Sequence, residues 1–494
     1  MTKTASTMSS TPSTRSSTPS TTRSSTPSTV RSFGPRPPTR VIIVGAGIGG
    51  LLLGILLQRM GVTYQIFERA PKVKPLGALM SINSNILPVF EQLGLLERVQ
   101  AISLLIYYTT LFNGKLEKIA EVNTKDHRDR AGYDFLVFSR PELYDILLSE
   151  IPQERISFNK RVLSMSKTIH GTEINCSDNS SYEADIIVGA DGAYSSIRQN
   201  IYRKMAEEGS LPASDSKDMA MPYLCMVGTT MPRDPEKYPE LKDEYTHIHH
   251  VIGDSTPYSW TVITIPGNRF CWSVMAQIAD QDEAREQRFR NSEWGPEAND
   301  ELIEQVRNFS ITFGGKLGDI IDATPKERIS KVMLEEKLFD TWYYENVVLI
   351  GDACHKMLPT SGQGAINAMQ DAVILANCIY DLEDHRPRSL TKAFKSYKNQ
   401  RYSEAKKQIT NSKVNAKISS GQSKVDRAVR HVVLNYIPRS LQDRQFTKDA
   451  AYRPQCTFMQ RVPDKGTVPS APQLPSKRYE AEMEATRRYF TIPV

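Results

Sequence analysis

Residues 40–69 read RVIIVGAGIGGLLLGILLQRMGVTYQIFER. The apolar run Val41-Ile42-Ile43-Val44 breaks off at Gly45-x-Gly47-x-x-Gly50, passes into an apolar helical segment, and returns as a second apolar run that stops at Glu68. Continuously apolar strands, rather than alternating ones, mark a parallel sheet covered on both faces, so the stretch predicts a βαβ unit. Gly45 permits the tight turn, Gly47 lets backbone approach a pyrophosphate, and Gly50 lets the helix lie close to the strand. Phosphates at that position meet the unpaired N–H groups and the dipole of a helix N-terminus. Glu68 follows Gly45 by 23 residues, where an acid is expected to hold a ribose hydroxyl. A carboxylate there repels a 2′-phosphate, which suits FAD or NAD and disfavours NADP at this site.

The remainder of the chain sets the context for that unit. At 494 residues, with 39% hydrophobic and 24% charged residues, it has the size and composition of an ordinary multidomain globular protein. The net charge of +6 suggests nucleic acid until it is located. Residues 1–40 hold six basic residues and no acid, so residues 41–494 carry 56 of each sign and no global basic field. Six scattered cysteines without a CxxC pair point to a reducing compartment, neither a disulfide framework nor a zinc site. The most apolar long stretch, 41–57, is interrupted by glycines and belongs to the βαβ unit, so no transmembrane helix is expected.

Residues 1–38 repeat SSTPST and lack apolar content, which predicts a disordered tail. The Ser/Thr/Arg richness is also that of a mitochondrial address, without the apolar face one needs; the cytoplasm is the expected compartment. Residues 76–98 predict a loop and a short helix ending at Gly94. Residues 138–151 (FSRPELYDILLSEI) predict a helix with Ser139 as its cap, Pro141 in its first turn, and Leu143, Ile146 and Leu147 on one face. A second apolar run, Ile186-Ile187-Val188, leads into Asp191-Gly192 and a helix starting at Ser195 or Ser196, bringing a carboxylate to a strand's carboxyl end.

Between 201 and 330 the pattern changes to aromatic and β-branched segments. Two of them are joined by Pro266-Gly267-Asn268 as a hairpin, with Trp260 and Trp272 expected beside a substrate cavity. His247, His249 and His250 lack an accompanying carboxylate or cysteine, so no metal is expected. A third buried run, 347–350, ends in Gly351-Asp352. A loop with Pro359 then leads to Gly362-Gln363-Gly364, which opens a long helix through Leu382 whose bare N–H groups suit an anion. Residues 388–430 carry twelve basic residues against Glu404 and Asp426 and read as a solvated helical face, the alternative being a patch that steers a phosphorylated cofactor or touches anionic lipid. From 438 onward the chain reads as an extended wrap without an apolar anchor.

Three distant turns thus bring glycines and an acid to strand ends: Gly45/Glu68, Asp191/Gly192 and Gly351/Asp352. In this combination the chain resembles the FAD-dependent aromatic hydroxylases, the single-component flavoprotein monooxygenases of the para-hydroxybenzoate and salicylate hydroxylase type, and among these the fungal ones. The resemblance covers about residues 38–410. It implies an α/β fold: a Rossmann-like FAD-binding domain (39–200 and 331–385) interleaved with an antiparallel-sheet substrate domain (201–330), followed by a helical and extended C-terminal part (386–494).

The resemblance also implies FAD held by Gly45, Gly47, Gly50, Glu68, Arg69, Gly77, Ala78, Arg140, Asp191, Gly192, Gly351, Asp352, Pro359, Gly362, Gly364, Ala365 and Ile366, with Pro359, Gly362 and Gly364 beside the reacting ring. NAD(P)H is then a transient donor, and O2 reacts through a C4a-hydroperoxyflavin to hydroxylate or epoxidise a small organic substrate, aromatic or terpenoid-like. Two departures stand out: Cys354 occupies a usual alanine position, and Ile366 occupies the usual asparagine position, with Asn367 following. A halogenase or reductase on the same scaffold, and a non-catalytic flavoprotein with a binding role, are the alternatives. The sequence TVITIP at 261–266 lacks the tryptophans of the halogenase motif.

Overall fold

The computed structural model describes residues 39–72, 79–254, 256–278, 299–420, 424–436 and 438–490. The 1–38 tail, Gly77 and Ala78 lie outside them.

The predicted βαβ unit forms the centre of a six-stranded sheet. Arg40–Val44 pairs in parallel with Thr63–Phe67 on one side and with Ile186–Gly189 on the other, and Val347–Leu349 continues the parallel array beyond Ile186–Gly189. Short strands Ile156–Ser157 (parallel) and Tyr343–Tyr344 (antiparallel) close the two edges. Val41 to Val44 are buried, as the unbroken apolar run requires, and helix α1 (Ile48–Arg59) buries every residue from Ile48 to Leu57. The helix is apolar all round because it lies between the sheet and other helices.

A second sheet of ten strands carries the 201–330 region. Tyr258–Ile265 and Arg269–Gln277 form the expected hairpin, with Gly267 and Asn268 at positive φ, and Ala220–Thr229, Tyr245–Ile252 and Ser330–Leu338 extend it. Strand Leu79–Ile82 joins this sheet through Leu136–Ser139, although its sequence predicts a loop. Its four residues are too few to show a period, and pairing with a distant strand defines it.

The register puts Trp260, Val262, Trp272 and Val274 on one face of this sheet. That face is not a cavity wall. It packs against Asp300–Val306 and Leu317–Ile321 in a second core, where Trp260 is 3% exposed and Trp272 fully buried, their indole N–H groups donating to Ser310 O and Thr324 Oγ1. The alternation of aromatics reports burial and does not say which layer covers them.

Helices α2 (Arg140–Ser149), α3 (Ser196–Glu207), α4 (Gly364–Tyr380), α5 (Pro387–Ser420) and α6 (Lys424–Tyr436) complete the elements that position the site. Gly94 ends the Leu87–Leu93 helix in the left-handed conformation, as expected. The C-terminal part is not extended throughout, since helices Arg439–Ala451 and Lys477–Phe490 form within it, and it does have apolar anchors. Cys456, Phe458 and Val468 are buried, and Phe458 stacks on Tyr380 with ring centroids 5.2 Å apart. Isolated apolar residues in a proline-rich segment give no periodic signal, which conceals such anchors in the sequence.

Candidate active site

The parallel register aligns four strand ends. Phe67 lies opposite Val44, Val44 opposite Gly189, and Gly189 opposite Leu349. Glu68, Gly45, Asp191 and Gly351-Asp352 therefore follow one another along a single edge, across three strand spacings or roughly 15 Å. The carboxyl edge of an open parallel sheet is where such folds bind ligands.

At the first turn, Gly45 has φ +109° and a Cβ there would lie 2.4 Å from Ala190 O; a Cβ on Gly50 would lie 2.1 Å from Gly45 O. These two glycines are demanded by the protein itself. Gly47 is different, because a Cβ there meets nothing within 4 Å and its backbone angles are ordinary. The space beside it, at the first turn of α1, is open to a ligand. Glu68 stands over this loop, its two carboxylate oxygens accepting from Ala46 N and Ala70 N at 2.9 Å. Arg69 is exposed beside it.

Helix α4 starts at the same edge. Its Ala368 approaches both Gly49 of α1 and Gly351, where added Cβ atoms would lie 3.2 and 3.0 Å from the alanine Cβ. The N-termini of α1 and α4 thus come together, and Gly364, the first residue of α4, also has open space around it. Pro359 and Gly362 lie in the turn before it, with Gly362 at φ +64° against Ser81 Oγ. Ala365 is half-buried. Ile366 departs from the expected role: its side chain is 1% exposed in the main core, leaving only backbone to face a ligand. Asn367 is turned inward as well, accepting from Arg401 and donating to Gln363 O.

Ser195 caps α3, accepting from Arg198 N, and one Asp191 oxygen accepts from Ser196 Oγ and Ile197 N in the same turn; Asp191 Oδ1 is buried without a hydrogen-bond partner among the described residues. Gly192 beside it has φ +82°. Asp352 pairs with Lys356 at 2.5 Å. Arg140, at the start of α2, is exposed and borders the strand Leu79–Ile82 through the Leu79/Ser139 pairing.

Three positioning groups were not singled out from the sequence. Arg198 is buried, donates to Ala353 O and Ala193 O, and so ties the Asp191 turn to the Gly351 turn. Asp371 accepts from Gly351 N at 2.8 Å and pairs with His355 and Arg401. Arg401 lies in the very segment read as solvated. Its i−4 and i+4 neighbours Tyr397 and Ala405 are buried, an apolar stripe that was the available signal. Cys354, His355 and Asp371 bring ligand-type atoms together, but the Arg401 guanidinium already supplies the cation to that carboxylate.

This edge leaves open space beside Gly47 and Gly364, where a Cβ would meet nothing within 4 Å, and the unpaired Asp191 oxygen fits a group that hydrogen-bonds there. A family model described as an FAD binding domain matches residues 38–412. FAD-dependent monooxygenase penM of Penicillium crustosum is 31% identical over 348 residues, covering 69% of each chain. The chain belongs to the FAD-dependent monooxygenases. Two further relatives are the FAD-dependent monooxygenases ptmM of Penicillium ochrochloron, 30% identical over 69% of this chain and 78% of its own, and ausM of Penicillium brasilianum, 26% identical over 88% and 92%. Among solved structures, Klebsiella pneumoniae HpxO complexed with FAD and uric acid has the same fold, with a TM-score of 0.66 at 19% identity over 84% of this chain and 96% of that one.

The monooxygenase binds FAD, and the flavin supplies the electron transfer and oxygen chemistry when bound. Among the described residues no helix is long and apolar enough to cross a membrane.

Proposed function

We propose that the monooxygenase takes electrons from NAD(P)H and inserts one atom of O2 into a small, largely apolar organic substrate, by hydroxylation or epoxidation. The observation that carries this reading is the partly buried face of the second sheet opposite the tryptophans, which the end of α5 covers only in part. Opposite the packed tryptophans, Cys225, Val227, Thr261, Ile263, Ser273 and Met275 share one face and are all half-buried. Cys225 and Met275 pack against a cluster of Tyr223, Leu334, Leu358 and Ala416 of α5, and Leu358 directly precedes the Pro359 turn, so this face and the start of α4 belong to one region.

Gly45, Gly47 and Gly50 would hold the pyrophosphate, Glu68 the ribose, and Asp352 a polyol hydroxyl, with Arg69, Arg140, Asp191 and Gly192 along the same cleft. The N–H groups opening α4 at Gly364 and Ala365 would stabilise negative charge on the reduced ring. The mostly apolar face excludes water from the reacting centre. Six free cysteines suit a reducing compartment such as the cytoplasm.

The experiment is oxidation of NADH and NADPH in air by the FAD-loaded chain, with and without candidate substrates. Substrate-stimulated oxidation with a product one oxygen heavier supports the reading. Oxidation indifferent to substrate points to a reductase, and a product carrying halogen to a halogenase.

A further inference from the structure

Helix α6 is packed inside out. Val425, Val429, Val432 and Tyr436 fall on one helical stripe and are 70%, 47%, 54% and 68% exposed. Arg430, on the other side, is 8% exposed and donates through Nε to Ile418 O at 2.7 Å. Leu441 in the following helix, Arg439–Ala451, is exposed too. An apolar stripe facing water while a guanidinium faces protein marks a surface that is covered in use.

Charge identifies the cover. Residues 388–451 hold fifteen Lys and Arg, of which only Arg401 and Arg430 are buried among those whose burial is described, against four Asp and Glu, whereas the rest of the chain has 47 against 52. The 1–38 tail cannot serve, since it is itself basic without an acid and has Val30 and Phe33 as its only large apolar residues besides two methionines. A second copy would bring the same positive stretch against itself.

We propose that α6 docks the monooxygenase onto an anionic lipid bilayer. The helix lies in the interface plane with its valines among the acyl chains and Tyr436 at headgroup depth, while the basic stretch is drawn to the negative surface. The docked helix belongs to the substrate side of the molecule. Arg427 of α6 donates to Asp254 O, just after strand Tyr245–Ile252, and Ser419 and Ser420 at the end of α5 bond to His250 and Ser259 of the second sheet. An apolar substrate dissolved in the bilayer would then be close to the face that receives it.

Flotation of the full chain with vesicles of phosphatidylcholine, with and without phosphatidylserine, tests this. Wild type is expected to float with the phosphatidylserine vesicles, to be released by high salt, and to lose roughly tenfold or more of its partitioning on Val429→Glu with Val432→Glu. FAD content and melting temperature should stay unchanged, because both side chains face outward. Should that variant fail to fold, Val425→Ser with Tyr436→Ser gives the same readout. Absence of wild-type flotation, equal flotation with neutral vesicles, or flotation unaffected by both variants overturns the proposal. So does a self-association in sedimentation velocity that these substitutions abolish, which would assign the stripe to a second copy.

Discussion

Arg401 of α5 and Asp371 of α4 form a fully buried ion pair, Nε to Oδ1 2.7 Å, with both side chains at 0% exposure. The other carboxylate oxygen accepts from the Gly351 amide, so the pair fixes the turn that ends the fourth parallel strand. Burial opposes ionisation of Asp371, but the charges and hydrogen bonds of His355 and Arg401 outweigh it and hold its carboxyl below the usual range. Arg401 also bonds to Asn367, Gln370 and Tyr452, which joins the start of α4 to the C-terminal wrap. Arg401→Leu leaves a buried carboxylate without its counter-charge and should cost about 3–5 kcal/mol. Denaturant unfolding checks this, and Asp371→Asn combined with Arg401→Leu should recover part of the loss.

Gly47 and Gly50 should separate binding from folding. Alanine at Gly47 meets no protein atom, so the apoprotein melts normally while FAD affinity falls at least about tenfold. Alanine at Gly50 drives a Cβ into Gly45 O and should cost about 1–3 kcal/mol or more before any ligand is considered. Melting temperatures of the apoproteins and FAD titrations followed by flavin fluorescence distinguish the two.

The two faces of the second sheet should respond differently as well. Trp272→Ala removes a fully buried ring and its bond to Thr324, and should destabilise by about 3–5 kcal/mol. Met275→Ala on the opposite, half-buried face should leave FAD content intact and change the KM for substrate. Steady-state kinetics beside thermal melts would show this split.

Most of the strand edge that we propose holds FAD was legible because its signals are local. An apolar strand, a glycine turn and an acid follow one another in sequence at Gly45, Asp191 and Gly351, and parallel pairing then aligns them. What was not legible depends on long-range packing. Arg401 counts as one more cation in a basic helix until α4 and Tyr452 close around it, and the burial of Trp260 and Trp272 was readable while the layer covering them was not. Strand Leu79–Ile82 and the anchors Cys456 and Phe458 are likewise defined by partners far away in sequence.

Burial lowers the pKa of His127 from 6.5 to about 4, and its Nε2 has no hydrogen-bond partner among the described residues. The unfolded chain therefore binds a proton between these values that the folded chain refuses. Stability from this group is complete above pH 6.5 and falls as pH drops toward 4, by at most about 3 kcal/mol. Chemical denaturation across that range should show the decline, and His127→Gln should flatten it.

Hydrogen–deuterium exchange of the full chain with and without FAD tests the convergence of the four strand ends most directly. FAD is expected to protect peptides covering 45–50, 68–70, 190–192 and 351–365 together, at the same ligand concentration. Protection confined to the first glycine turn, with 190–192 and 351–365 exchanging as in the apoprotein, would contradict a single shared site.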